Sequence, residues 1–107
     1  MAPQLSPGMV HQKIEASSER FTLLDVREPE ELAISSLRGA KHIPMNSIPE
    51  RLDELDPRHE IVVFCHHGMR SQMVADFLEQ NGFSNVKNMA GGIDAWSQHV
   101  DPRVPRY

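Results

Sequence analysis

The order of apolar runs along this 107-residue chain predicts an α/β fold, with a mainly parallel central sheet and helices on both faces. Short strand-like runs near 21–26, 41–44, 61–64 and 86–89 alternate with stretches of helical spacing. The most apolar run, Ile61-Val62-Val63-Phe64, is continuous rather than alternating, the pattern of a strand covered on both faces at the sheet centre. No repeat, low-complexity tract or long linker divides the chain, so a single domain over 1–107 is expected.

Taken in order, Ser6-Pro7 predicts a helix start, with Ser6 as N-cap and Pro7 at the first helical position. That helix should reach about Ala16 and turn Val10, Ile14 and the stem of Lys13 inward. The run from Phe21 to Val26 reads as a buried strand that ends in polar Arg27-Glu28. Pro29-Glu30-Glu31-Leu32 opens a short helix with acidic residues in its first turn, as the helix dipole favours. Gly39-Ala40 breaks it, and Lys41-His42-Ile43-Pro44 is a short strand closed by proline. Ser47 is a candidate cap for another short helix, with Glu50 three residues on. Val74, Phe77 and Leu78 recur at helical spacing, so a helix over 71–80 should pack on the central strand, and Asn81-Gly82 should stop it. A last short strand runs from Val86 to Met89. Gly91-Gly92 leads into a short helix anchored by Trp96, and the tail from Asp101 to Tyr107 is proline-broken and extended.

Composition bounds the function. Hydrophobic content of 39% and charged content of 24% are globular values and argue against disorder. A net charge of −4 argues against direct nucleic-acid binding, which needs a basic footprint. One cysteine allows no internal disulfide, and a reducing compartment fits best. The start has no basic segment followed by an apolar one, and no run approaches membrane-spanning length. A cytoplasmic protein that does not engage membranes is expected.

The chemistry concentrates on Cys65-His66-His67-Gly68-Met69-Arg70-Ser71. In parallel α/β sheets the ligand site lies at the carboxyl ends of the strands, and this loop and Arg27-Glu28 both fall there. A thiol at a strand-to-helix turn meets free backbone N–H groups and the positive end of the helix dipole. That setting favours a thiolate nucleophile and makes a cradle for an anion. Lone cysteines are more often small buried hydrophobes, but two histidines and an arginine follow this one within five residues. Gly68 permits the positive φ that a tight anion loop needs. His66 and His67 read as supporting or solvated residues, or as general bases; adjacent Cys-His-His lacks the spacing of a zinc site, and no metal or other cofactor is expected. Arg70 and Arg27 either bind an anionic group or pair with structural carboxylates, and with the histidines they would give an acidic protein a locally positive mouth. Asp25, at a strand end, reads as a structural acceptor, and Met69 and Met73 as packing beside the pocket.

Four ordered motifs resemble the rhodanese-like domain family. Leu24-Asp25-Val26-Arg27-Glu28-Pro29-Glu30-Glu31 is similar to its first strand and turn, and Gly39-Ala40-Lys41-His42-Ile43-Pro44 to its next segment. The stretch from Cys65 to Ser71 resembles its active-site loop, and Gly91-Gly92-Ile93-Asp94-Ala95-Trp96 its closing motif. The resemblance implies a sulfurtransferase with Cys65 catalytic and His66, His67, Gly68, Met69, Arg70, Ser71 and Arg27 around the substrate. It implies a small anionic donor such as thiosulfate, a Cys65 persulfide, and a thiol, cyanide or sulfur-accepting protein as acceptor. Four residues separate Cys65 from Arg70; related phosphatases on this fold carry one more, so the loop resembles the sulfur-transfer form. The alternatives are a non-catalytic rhodanese-like interaction or sensing module, whose members typically lack the cysteine, and a small phosphatase or arsenate reductase. Leu32, Ser36 and Arg38 stand where the family often has an aromatic, a histidine and a proline. The ending from Asp101 to Tyr107 is similar to that of rhodanese domains fused to enzymes that activate sulfur-carrier proteins.

Overall fold

The computed structural model describes residues 1–16 and 21–107. Its elements in chain order are β1 (Gln4–Leu5), α1 (Pro7–Ala16), β2 (Phe21–Asp25), α2 (Pro29–Ile34), β3 (Lys41–His42), β4 (Glu60–Phe64), α3 (Met69–Gln80), β5 (Val86–Met89) and α4 (Gly92–His99). The five strands form one sheet in the order β1-β5-β4-β2-β3, and every pairing is parallel. The expected α/β architecture is the one observed.

Side-chain alternation along the central strands builds two cores. Ile61 and Val63 of β4 and Leu24 of β2 face one side, where Val74, Ala75 and Leu78 of α3 cover them with Ile43 and Ile48. Val62, Phe64 and Leu23 face the other, against Val10 of α1 and Ile93 and Trp96 of α4. A strand covered on both faces has no polar side to present, and this is why β4 reads as an unbroken apolar run. Cys65 falls in register with Ile61 and Val63 and so points toward the α3 side.

Several expectations are corrected. The helix expected from Ser47 is absent. Two separate 3-10 turns, Met45–Ser47 and Leu52–Glu54, take its place, and Ser47 ends the first rather than capping a helix. Pro49 lies between them and supplies no N–H to continue a ladder. Ile14, expected inward, is 40% exposed, because Val10 alone of the apolar pair faces the sheet. Lys13 does lie against the sheet, pairing with Glu60 at 2.6 Å with its ammonium over the Phe21 ring. The two-residue β1 was not expected; its backbone completes the sheet edge by pairing with β5. Helix α3 begins at Met69, two residues ahead of expectation, and this shortens the irregular part of the cysteine loop. Ser6 is the N-cap of α1, its hydroxyl accepting the Met9 N–H at 3.2 Å.

Candidate functional site

The carboxyl ends of β4 and β2 are neighbours in the sheet, and the two loops that follow them meet above it. After Phe64 the chain turns through Cys65, His66 and His67 to Gly68, which takes φ +105° as the N-cap of α3. A side chain at Gly68 would be both strained and pressed on the Gly91 backbone nitrogen, 3.3 Å from its Cβ position. The turn brings N–H groups back over the thiol. The Gly68 N–H approaches the Cys65 Sγ at 3.1 Å, the Ser71 N–H at 3.4 Å and the Ser71 hydroxyl at 3.3 Å.

The outer side of the loop explains the orientation of its peptide planes. The Ile93 and Asp94 N–H groups, free at the start of α4, donate to the carbonyls of Cys65 and His66 at 2.9 and 3.1 Å. Across a trans peptide the N–H points opposite to the carbonyl, so these two bonds turn the His66 and His67 N–H groups away from α4 and fix the first half of the loop. The approach is close: a Cβ on Gly92 would lie 2.4 Å from the His66 carbonyl oxygen and 2.5 Å from that of Cys65. The Gly68 carbonyl is held in turn by buried Asn88, whose amide donates to it at 3.2 Å.

Cys65 is buried at the floor of a cleft of about 340 Å³ lined by His66, His67, Met69, Arg70 and Met73. Met69 and Met73 lie at its rim and are largely exposed. Arg70 reaches over the cleft and grips Glu31 of α2 with both terminal nitrogens, Nη1 to Oε2 at 2.7 Å and Nη2 to Oε1 at 2.8 Å. Glu31 also accepts the Glu28 N–H at 2.9 Å and the Tyr107 hydroxyl at 2.8 Å, so both of its oxygens are doubly bonded. The hydrogen bonds from Arg70, with those from Glu28 and Tyr107, outweigh partial burial and hold its pKa down to about 2. The same pair raises Arg70 and keeps it charged.

Arg27 lies at the base of the site rather than at its mouth. It is fully buried, and its guanidinium binds both oxygens of Asp25, with Nη2 to Oδ2 at 2.8 Å. The remaining donors reach the Ser35 carbonyl at 2.8 Å, the Tyr107 hydroxyl at 2.9 Å and the Glu31 carbonyl at 3.5 Å. Burial would lower its pKa, but the bonds to Asp25 and Tyr107 raise it. No donor remains for a ligand. Each arginine is thus balanced by a carboxylate, and the locally positive mouth expected from the sequence is neutralised from within. Asp25 is the structural acceptor expected of it.

The histidines stack. The His66 ring lies 3.8 Å from that of His67, and on another side 3.8 Å from the Tyr107 ring at 8° between planes. Burial first, and then His67, lower the His66 pKa, so the ring is neutral at neutral pH. His66, His67 and Asp94 bring possible ligand atoms within 4.8 Å of one another. The Asp94 carboxylate already accepts from Arg106 at 2.9 Å and Gln98 at 2.9 Å, so a cation there would compete with Arg106. Glu31, Asn88, Gly92 and Tyr107 were not singled out for the site. Glu31, three residues after Glu28 at a helix start, and Gly92, in the Gly91-Gly92 pair that opens α4, carry a local signal; Asn88 and Tyr107 reach the site through tertiary contacts.

The fold and the loop define a class, that of parallel α/β proteins presenting one thiol in a cradle of backbone N–H groups. Within it, the chain belongs to the rhodanese-like domain family, whose model matches residues 6–99. It is 41% identical over 100 residues to YtwF of Bacillus subtilis, covering 94% of this chain and 95% of that one. It is 37% identical over 90 residues to the thiosulfate sulfurtransferase GlpE of Actinobacillus succinogenes, covering 84% of this chain and 81% of that one. The crystal structure of a rhodanese-related protein from Thermoplasma volcanium superposes with a TM-score of 0.83 at 31% identity, over 98% of this chain and 99% of that one. The kinship is with a family whose named members include sulfurtransferases. Among the described residues no helix is long and apolar enough to cross a membrane.

Proposed function

We propose that this protein is a sulfurtransferase that moves a sulfane sulfur through a Cys65 persulfide. The observation that carries the reading is the direction of the donors: the Gly68 and Ser71 N–H groups and the Ser71 hydroxyl converge on the Cys65 sulfur. Such donors stabilise a thiolate, and they equally suit the anionic persulfide that replaces it. With thiosulfate as donor, the Cys65 thiolate attacks the outer sulfur. The S–S bond to Cys65 forms, the bond to the sulfite sulfur breaks, and sulfite leaves with the electron pair. Cyanide or a thiol, free or on an acceptor protein, then takes the outer sulfur and returns the Cys65 thiolate. The kinetics are double displacement.

His66, His67, Gly68, Met69, Arg70 and Ser71 form the substrate surround. Gly68 and Ser71 supply the cradle and Met69 an apolar rim. Arg70 uses one N–H of each terminal nitrogen on Glu31, which leaves donors for the oxygens of an anionic donor. His66 and His67 wall the cleft, and neutral His66 neither attracts nor repels charge. Arg27 acts from below, as the buried anchor of the β2 loop.

Intact mass tests the reading. Incubation with thiosulfate and removal of excess donor should add one sulfur atom, about 32 Da as a persulfide, to the parent and none to Cys65→Ser. Cyanide should remove it and release thiocyanate. No adduct with thiosulfate or with organic persulfide donors, together with phosphate release from an aryl phosphate, would overturn it in favour of phosphatase chemistry.

A further inference from the structure

Residues 101–107 fold back across the reactive loop, and the reaction above makes no use of them. After α4 the chain reverses in a turn closed by the Val104 N–H on the Asp101 carbonyl at 3.1 Å. The Ser97 hydroxyl donates to the Val104 carbonyl at 2.8 Å and pins the turn to α4. Arg106 then pairs with Asp94 at 2.9 Å, and Tyr107 arrives beside the loop with its ring flat on His66. Its hydroxyl is a relay: it accepts from Arg27 Nη1 at 2.9 Å and donates to Glu31 Oε1 at 2.8 Å. Glu31 grips Arg70. One connected path therefore runs from the fully buried Asp25–Arg27 pair through Tyr107 and Glu31 to the guanidinium over Cys65. Arg70 and His66 line the cleft, while Tyr107 does not.

We propose that Tyr107 is a positioning residue for the donor-binding face of the cleft, setting Arg70 through Glu31 by its hydroxyl and the plane of His66 by its ring. The assignment rests on the cleft being the sulfur-donor site. Arg70 sits on a long stem and is partly exposed, so without a fixed partner it samples many rotamers. Glu31 belongs to a six-residue helix with no buried residue, and such a helix holds its own side chains weakly. The Glu28 N–H fixes Oε2 from within the helix start, and Oε1 is fixed from outside by the tyrosine hydroxyl, which ties it to the buried arginine below. The class of substrate served is an anionic donor, since only such a donor gains from a fixed guanidinium.

Tyr107→Phe keeps the ring and removes the relay, whereas Tyr107→Ala removes both. Each is compared with the parent, with and without Arg70→Gln. One readout is the ratio of Cys65 alkylation rates with anionic iodoacetate and neutral iodoacetamide at one pH, which needs no sulfur transfer. The other is KM and kcat for thiosulfate. Tyr107→Phe should lower the ratio and raise KM by roughly threefold to fivefold, the effect of one charge-assisted hydrogen bond at a partly exposed site, with kcat little changed. Tyr107→Ala, which removes the relay and also frees the His66 ring, should lower the ratio at least as far. In the Arg70→Gln background Tyr107→Phe should leave the ratio unmoved. An unchanged ratio in Tyr107→Phe, or an equal loss in the Arg70→Gln background, overturns the proposal. A ratio that moves as expected in a protein that takes sulfur from neither thiosulfate nor an organic persulfide, and that releases phosphate from an aryl phosphate, upholds the positioning of Arg70 and overturns the sulfur-transfer reading.

Discussion

Replacing Gly92 by alanine should disable the reactive loop without touching a side chain in the cleft. Two separable costs arise. Gly92 has φ +63°, and a non-glycine residue there costs about 1–2 kcal/mol. Its new Cβ would also lie 2.4 and 2.5 Å from the His66 and Cys65 carbonyl oxygens. Both neighbours are backbone, and both are held by N–H groups of α4. Loop and helix must separate by about half an ångström or more, an overpacking cost of about 1–3 kcal/mol. The total is about 2–5 kcal/mol. Gly39 provides the control: its φ is +83°, yet a Cβ there meets nothing within 4 Å. Gly39→Ala should therefore show the dihedral cost alone. Urea unfolding of the two variants measures the difference directly, provided the m-value is unchanged. Thermal melting should follow at roughly 5 °C per kcal/mol for a chain of this size. Iodoacetamide alkylation of Cys65 should slow in Gly92→Ala and hold in Gly39→Ala, because only the first displaces the carbonyls that hold the cysteine loop against α4. Equal destabilisation of the two variants, within about 0.5 kcal/mol, would refute the close-approach argument.

Arg27→Met should cost about 3–5 kcal/mol, because it strands the buried Asp25 carboxylate without a counter-charge. Urea unfolding checks this, the double change Asp25→Leu with Arg27→Met should recover part of the loss, and a single variant within about 1 kcal/mol of the parent would show that the pair is dispensable. Glu31 has its pKa lowered from 4.5 to about 2, so its contribution is complete above pH 4.5 and is lost as the pH falls toward 2. The full shift sets an upper bound, and partial exposure of the pair brings it to about 1–2 kcal/mol. Stability of the parent should therefore fall more steeply between these pH values than that of Glu31→Gln; parallel curves would show that the Arg70 pair adds nothing.

Four strands of the sheet, the place of the thiol and the family kinship are written in local signals. The run from Ile61 to Phe64 is apolar because both of its faces are covered, and Gly68 and Cys65 stand at the turn where a parallel strand meets its helix. Local signals failed where propensity was weak: two 3-10 turns, Met45–Ser47 and Leu52–Glu54, stand in place of the helix expected from Ser47, and a two-residue strand such as β1 carries no pattern of its own. Where the charges go is settled by long-range contacts. Arg27 and Arg70 look alike in the sequence, each in a loop at the carboxyl end of a strand. Folding buries the first on Asp25 and aims the second over Cys65 with Glu31 as its partner. The partner of Arg70 lies 39 residues away, and the tyrosine that joins the two arginines lies 80 residues beyond Arg27. Hydrogen bonds of that span leave no periodicity in the chain, because they depend on which strand ends the sheet order brings together and not on the spacing of residues along any one element.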